Sequence, residues 1–335
     1  PTPPALSNLM QQLNVLDVYN GIVLGLRASG KTFAFDLGES YDPAKLSTFA
    51  SQYGFSAADM TPQPLSGKLA AQIPSKAVGV LIGTNLGHFY QLFRKELNAF
   101  STMPTMPARQ KQQFDQIQRG LAQFEQALKS NFNLDIDQDV LSWLGGDFGL
   151  YSVLNPNGDM ATLSHRQFPF DTVLIVSASD SAKAQSFVDK LNAGLPKLGI
   201  TPATAGTGLY TLPVGKQVKL GYGVSNGAFL LTTSGTLNLA SAATAGTDSL
   251  SSGSTPWKNA TANLPSNVTG LGFLDLSQIG SYIQGIAAAH ASNTSNADQG
   301  TRMGLALFNE FESALFYSAA PDTGSAVASF QLNLK

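Results

Sequence analysis

The hydrophobic pattern along the chain switches between a period of two and a period of 3.6 residues. From Ile22 to Leu37, the residues Phe33, Phe35 and Leu37 alternate with Ala34 and Asp36, which predicts two strands around a small polar turn. The run Lys76 to Ile82 reads as a buried strand, followed by a helix through Phe100. After a break at Met103-Pro104-Thr105-Met106-Pro107, the residues Phe114, Ile117, Leu121, Phe124 and Leu128 form one apolar stripe on a solvated helix. VLSWLGG then leads into the strand DFGLYSV. In the second half, DTVLIVSAS is a strand and Phe187, Val188, Leu191 and Leu195 mark a helix. YTLPV, QVKLGYGV and GAFLLTT read as a meander of three short strands. SNVTGLGFLDL is a strand with a helix through His290 behind it, and ALFYSAA and AVASFQLNLK close the chain as strands. Residues 5–18 carry Leu6, Leu9, Met10 and Leu13 on one side of an amphipathic helix, and Asp42 and Asp180 stand at N-cap positions.

Without strict β-α-β alternation, and with several tight turns, the predicted fold class is α+β, with antiparallel or mixed sheets packed with helices. Three internal echoes add detail. DPAKLSTF (Asp42 to Phe49) returns as DSAKAQSF (Asp180 to Phe187), and QIPSKAVGVLIG from Gln72 returns as NLPSNVTGLGFL from Asn263. GLYSV (Gly149 to Val153) returns as LFYSA (Leu315 to Ala319), and the order is the same in each half. The echoes predict two tandem pseudo-symmetric repeats, residues 1–160 and 161–335, each with its own sheet. The second carries the extra meander and two polar loops, Ser241 to Pro256 and HASNTSNADQG.

Composition changes the picture in three ways. Charged residues are 13% of the 335, about half the usual fraction. The surface is therefore built from Ser, Thr, Asn, Gln and Gly, a habit of secreted and cell-surface proteins. The net charge of −2, with no Lys/Arg cluster, argues against nucleic acid as a partner. The absence of cysteine removes disulfides, thiolate metal sites and cysteine nucleophiles together. No apolar run of about 18 residues is present to span a membrane. The opening PTPPALS resembles the stub left after an export signal or anchor is removed, and reads equally well as an arbitrary start. Sequons at Asn259, Asn267 and Asn293 are candidate glycosylation sites if the source glycosylates.

Several motifs look like chemistry. Gly25, Gly30, Lys31 and Thr32 match the phosphate-loop pattern, but that loop must open a helix, and the period-two residues after it predict a β-hairpin turning at Ala28-Ser29-Gly30-Lys31. Gly223, Ser225 and Gly227 match the nucleophile elbow, yet Asn226-Gly227 between two apolar runs is a hairpin signal. The histidines His88, His165 and His290 stand in no partner motif for a serine nucleophile or a transition metal. Asp135, Asp137 and Asp139 alternate like the start of a calcium loop. However, Val140 occupies the required Gly position and Gly146 the bidentate Glu position, and the competing reading is that Asp139 caps the next segment. Trp143 and Trp257 read as core or loop anchors. Tyr210, Tyr222 and Phe229 either line a groove or simply pack. An enzyme would need distant carboxylates such as Asp36, Asp147 and Asp275 to converge.

The order of elements resembles a bacterial family known as domain of unknown function 3352, over roughly residues 134–335. The features are D-x-L-x-W-L-G-like LDIDQDVLSWLGG, the D-x-A-K-A-x-x-F-x-x-K-L of DSAKAQSFVDKL, the N-G-x-x-x-L of NGAFLL, and the L-P-x-x-x-x-G-x-x-D-L-like LPSNVTGLGFLDL. The resemblance implies export, often with an N-terminal anchor, and brings no activity and no catalytic residue. The expected function is a non-enzymatic extracytoplasmic structural or assembly protein without a cofactor. Its partners would be itself or other envelope proteins, and it would touch a membrane only through a removed N-terminal anchor. The alternative is an extracytoplasmic module holding a small or polymeric ligand between the repeats, with hydrolase and nucleotide-binding readings behind both.

Overall fold

A single glycine sets the first hairpin. β1 (Tyr19–Ser29) and β2 (Thr32–Tyr41) are joined by Gly30-Lys31, with Gly30 at φ 58°. Glycine adopts that left-handed backbone without steric cost, so the chain reverses in two residues. Ser29 pairs with Thr32, which places the turn one residue later than the sequence suggested.

The computed structural model describes residues 15–52, 54–56, 59, 61–102, 106–156, 170–214, 218–233, 248–290 and 309–335. α1 (Val15–Val18) precedes the hairpin and α2 (Pro43–Gln52) follows it. The Asp42 carboxylate accepts from the Ala44 and Lys45 amides at 2.9 and 3.2 Å, so it caps α2 as read. β3 (Ala77–Thr84) leads into α3 (Leu86–Thr102) and α4 (Ala108–Phe132), which pair as an antiparallel hairpin. Phe100 stacks on Phe114 at 5.2 Å, and the Tyr90 hydroxyl donates to Glu125 at 2.8 Å. The α4 stripe exists, yet none of its residues is fully buried. β4 (Asp147–Leu154), β5 (Phe170–Ser177) and α5 (Ser181–Gly194) come next, and Asp180 caps α5 at 3.0 and 3.1 Å. The meander has four strands rather than three: β6 (Ala203–Gly206), β7 (Leu209–Val214), β8 (Val218–Ser225) and β9 (Ala228–Thr233). Short helices α6 (Leu250–Gly253) and α7 (Thr255–Thr261) precede β10 (Val268–Asp275) and α8 (Leu276–His290). β11 (Phe311–Asp322) and β12 (Ser325–Leu334) end the chain. Among the described residues, no helix is long and apolar enough to cross a membrane.

All twelve strands form one antiparallel sheet in the order β1-β2-β12-β11-β10-β3-β4-β5-β9-β8-β7-β6. The expectation of a separate sheet in each half gives way to this single α+β sheet. β2 pairs with β12, β3 with β10 and β4 with β5, so strands from residues 1–160 and 161–335 interleave. Direct β3–β10 pairing leaves no unpaired backbone edge at the seam. The echoes take matching register around that seam. Leu81 faces Gly272; Leu150 pairs with Leu81 as Phe316 pairs with Gly272; Tyr151 pairs with Val80 as Tyr317 pairs with Leu271.

Alternation along each strand sends successive side chains to opposite faces of the sheet. On one face, Val80, Ile82, Tyr151, Ile175, Phe273 and Leu315 pack beneath Leu69 of the 69–71 turn, Ile73 just after it, and Leu250 and Trp257 of α6 and α7. Trp257 meets Phe273 edge-on at 5.2 Å. On the other face a second core gathers Val176, Tyr222 and Phe229 under Ala184 and Val188 of α5 and Trp143.

Candidate functional site

One register line can be followed across the second face through eleven strands. It runs Leu26, Phe35, Phe330, Phe316, Gly272, Leu81, Leu150, Leu174, Leu231, Tyr222, Tyr210, each directly opposite the next. Cross-strand neighbours of this kind touch, so the line is an apolar ridge except where Gly272 contributes no side chain. Its two ends differ. At the β5-β9-β8 end, Tyr222 is buried in the second core and Leu174 packs against it, while Leu231 between them keeps 38% of its surface exposed. From Leu26 to Leu150 the side chains stand open, with Leu26 84%, Leu81 60% and Phe316 48% exposed. Leu24, Phe33 and Leu274 widen the open part. Nine large apolar side chains, each roughly half exposed, amount to an apolar surface on the order of 900 Å². That is larger than the patch of about 300–600 Å² on a typical soluble monomer.

Behind the open ridge, at β1, β2 and β12, the opposite face carries a polar cluster. Arg27 donates to Asp36 at 2.6 and 3.1 Å, and Ser329 donates to the same carboxylate at 2.6 Å. The hydrogen bond from Arg27 is the main reason the Asp36 carboxyl sits below the usual carboxylate range, with Ser329 adding to it. Thr32 donates to Asn333 at 2.8 Å, and Asn333 donates to Ser313 at 3.0 Å. The period-two pattern of Phe33, Phe35 and Leu37 therefore points to the ridge side, away from this polar cluster.

A notch interrupts the open ridge at its middle. Gly272 contributes no side chain, and neither does Gly79 opposite Leu274. The result is a cavity of about 350 Å³ lined by Gly79, Leu81, Leu150, Leu274, Phe316 and Phe330, among others. A Cβ on Gly272 would lie 3.1 Å from the tip of Leu81, so the glycine keeps the notch open. The sequence does carry a signal for it: the echo aligns Leu81 with Gly272.

The motifs that resembled chemistry have other roles. Gly25 lies inside β1 and Thr32 opens β2, so no helix follows the phosphate-loop pattern. Asn226 and Gly227, at φ 51° and 77°, make the two-residue turn between β8 and β9. Gly223 has φ 152°, and a Cβ there would sit 2.0 Å from the Gly208 carbonyl oxygen, so close strand packing demands that glycine. Ser225 is thus a strand residue beside a hairpin turn.

Asp135, Asp137 and Asp139 point to three different cations. Lys129 lies 3.7 Å from Asp135, Arg94 3.0 Å from Asp137, and Lys190 2.7 Å from Asp139. Among the described residues no group of three or more His, Asp or Glu side chains is arranged to hold a metal ion. The capping residue is Asp135, which accepts from the Asp137 and Gln138 amides; Asp139 was the expected cap, and instead its carboxylate accepts from the Asp135 amide. Asp36, Asp147 and Asp275 do not converge. Asp147 accepts from the Ser66 hydroxyl at 2.5 Å, at the wall of a separate cavity of about 380 Å³, while Asp275 caps α8 through the Gln278 amide at 2.9 Å.

The His88 ring lies 3.1 Å from the Asp59 carbonyl; His165, Asn293 and the side chain of His290 fall outside the described residues. Trp143 is buried, donates to the Asp139 carbonyl at 2.8 Å and packs on Phe187 and Phe229. Tyr210, Tyr222 and Phe229 pack with the second core rather than lining an open groove. Burial pushes the Tyr222 hydroxyl up to about 12, and it donates to Asn192. The Asn259 amide donates to Glu312 at 3.1 Å, and that of Asn267 donates to the Ala320 carbonyl.

No curated protein and no solved structure matches this chain. A family model described as "Protein of unknown function (DUF3352)" matches residues 4–304. The match takes in the first half, where the sequence motifs were faintest, as well as the helix caps, the Asn226-Gly227 hairpin and the two seam strands. The chain belongs to the DUF3352 family.

Proposed function

We propose that this is a non-enzymatic extracytoplasmic assembly protein, on the cell surface or in an extracellular structure, that works by covering the open half of its sheet against a partner surface. The observation behind this reading is the apolar line from Leu26 to Leu150, broken only at the Gly272 notch, which stays exposed while Leu174 and Tyr222 toward its other end pack into the second core. Apolar area of that extent is removed from water in the working state of most proteins that carry it. The low charge and the absence of cysteine support an extracytoplasmic setting. The matching register of the echoes around the Leu81–Gly272 pair supports two pseudo-symmetric copies whose strands meet at the seam.

A second reading has its own observation. The notch of about 350 Å³ lies where the copies meet and is apolar in lining, which suits a ligand with a hydrocarbon portion.

Light scattering and negative-stain imaging of native material test the first reading, alongside a Phe316→Lys, Phe330→Lys double variant. The expected result is an assembled parent and a dispersed variant with an unchanged circular dichroism spectrum. A parent that remains monomeric at tens of micromolar overturns it. Saturable uptake of an apolar dye by such a monomer would then favour the ligand-binding reading.

A further inference from the structure

The two edges of the sheet are unlike. β6 is a strand of 4 residues, a short edge of the kind that resists pairing. β1 is a strand of 11 residues, about 37 Å long at ~3.4 Å per residue, and among the described residues no strand pairs with its outer side. Among the described residues its protection is slight: a register shift between Tyr19 and Gly21 irregularises only its first residues. It contains no proline, and its one charged residue, Arg27, is tied to Asp36 within its own sheet. Its apolar side chains are open on both faces. Ile22 and Leu24 are 62% and 66% exposed on the ridge side, and Val23 is 70% exposed on the other.

The hairpin fixes which backbone groups are available. Ser29 and Thr32 flank a two-residue turn and so exchange hydrogen bonds with each other. Alternation along an antiparallel pair then directs Arg27, Gly25 and Val23 inward to β2, and leaves the amides and carbonyls of Ala28, Leu26, Leu24 and Ile22 pointing outward.

We propose that β1 pairs antiparallel with β1 of a second copy of this chain, about a two-fold axis near Leu24, joining two sheets into one. This deepens the assembly reading and rests on it. Self-pairing of one strand is isologous by construction, the simplest closed symmetry. Centred on Leu24, it sets Ile22 opposite Leu26 of the second copy, so the apolar line continues from one sheet into the next. Roughly six to ten backbone hydrogen bonds form, within the range of an ordinary protein interface.

Sedimentation velocity of the full chain over a concentration series tests the pairing with two variants of one residue. Leu24→Pro removes an outward amide without costing a hairpin bond, while Leu24→Ala keeps the amide and trims the side chain. The expected result is a parent dimer, weakened at least 100-fold by Leu24→Pro and no more than about tenfold by Leu24→Ala. Hydrogen exchange on the parent gives a second readout that does not depend on the variants folding. The Ile22, Leu24 and Leu26 amides should be protected at dimer concentrations and open on dilution. Fast exchange at those amides in the assembled parent, or a Leu24→Pro dimer of parent affinity, overturns edge pairing. If assembly persists in Leu24→Pro yet is lost in Phe316→Lys, Phe330→Lys, edge pairing falls and the open-face reading stands. If the parent is monomeric throughout, both fall.

Discussion

Leu174 and Phe330 stand on one line of one sheet, five positions apart, and meet opposite fates. At Leu174 the strand lies under α5 and the 136–143 turn, with Trp143, Phe187 and Phe229 in mutual ring contact at 5.5 to 5.7 Å. At Phe330 the same kind of apolar strand position looks outward. Both ends obey the same alternation, so a strand's pattern names its apolar face without saying whether anything covers it. Coverage depends on where the helices lie.

The largest test of that contrast is at the covered end. Trp143→Ala removes a fully buried ring and should cost about 3–5 kcal/mol in urea-induced unfolding. At the bare end, Phe330→Ser should change stability by about 1 kcal/mol or less while reducing assembly and apolar-dye binding. Equal losses at the two sites would erase the contrast. A subtler variant sharpens it: Gly272→Ala should shift stability by less than about 1 kcal/mol, because the clash falls on the movable tip of Leu81. It should nevertheless lower dye uptake as the notch narrows, which a fluorescence titration would read.

The smallest effect concerns pH. Each end holds a carboxylate below its ordinary range. At Asp36 the Arg27 hydrogen bond does so; at Asp139 burial pushes the carboxyl up, and hydrogen bonds from Lys190 and the Asp135 amide more than offset it. A carboxyl whose folded value is depressed adds stability that is full above its ordinary value, near 4, and lost as the pH falls through the folded value. Arg27→Met and Lys190→Met should each flatten the decline in stability below about pH 4. Unfolding midpoints measured across that window check the sign, and a steeper decline in either variant would contradict it.

Local features were legible in the sequence, and distant ones were not. The caps at Asp42 and Asp180 and the turn at Asn226-Gly227 are decided by residues within a few positions of each other. The strand order is decided by pairings such as Phe35 with Phe330, which leave no trace in any local window. The three aspartates after Leu134 show the limit within a single turn. Two of them, Asp135 and Asp139, each accept a backbone amide, and Asp139 also accepts from Lys190, a partner far along the chain that no local window shows. The open face was half legible: alternation marked Phe33, Phe35 and Leu37 as one apolar side, while the polar cluster behind them needed β12 to complete it.

β12 has a consequence for how the molecule is made. It lies far along the chain from β2, and among the described residues it is the strand that ties the β1–β2 hairpin to the rest of the sheet. During synthesis, Phe33 and Phe35 must therefore wait, in a hairpin without its sheet neighbour, until residues near 330 emerge. Long-range closure of this kind is slow and leaves apolar strands exposed to mispairing in the interval. The hairpin is anchored only once β12 is available, so a chaperone that holds it, or a truncation that removes β12, acts on the same late step.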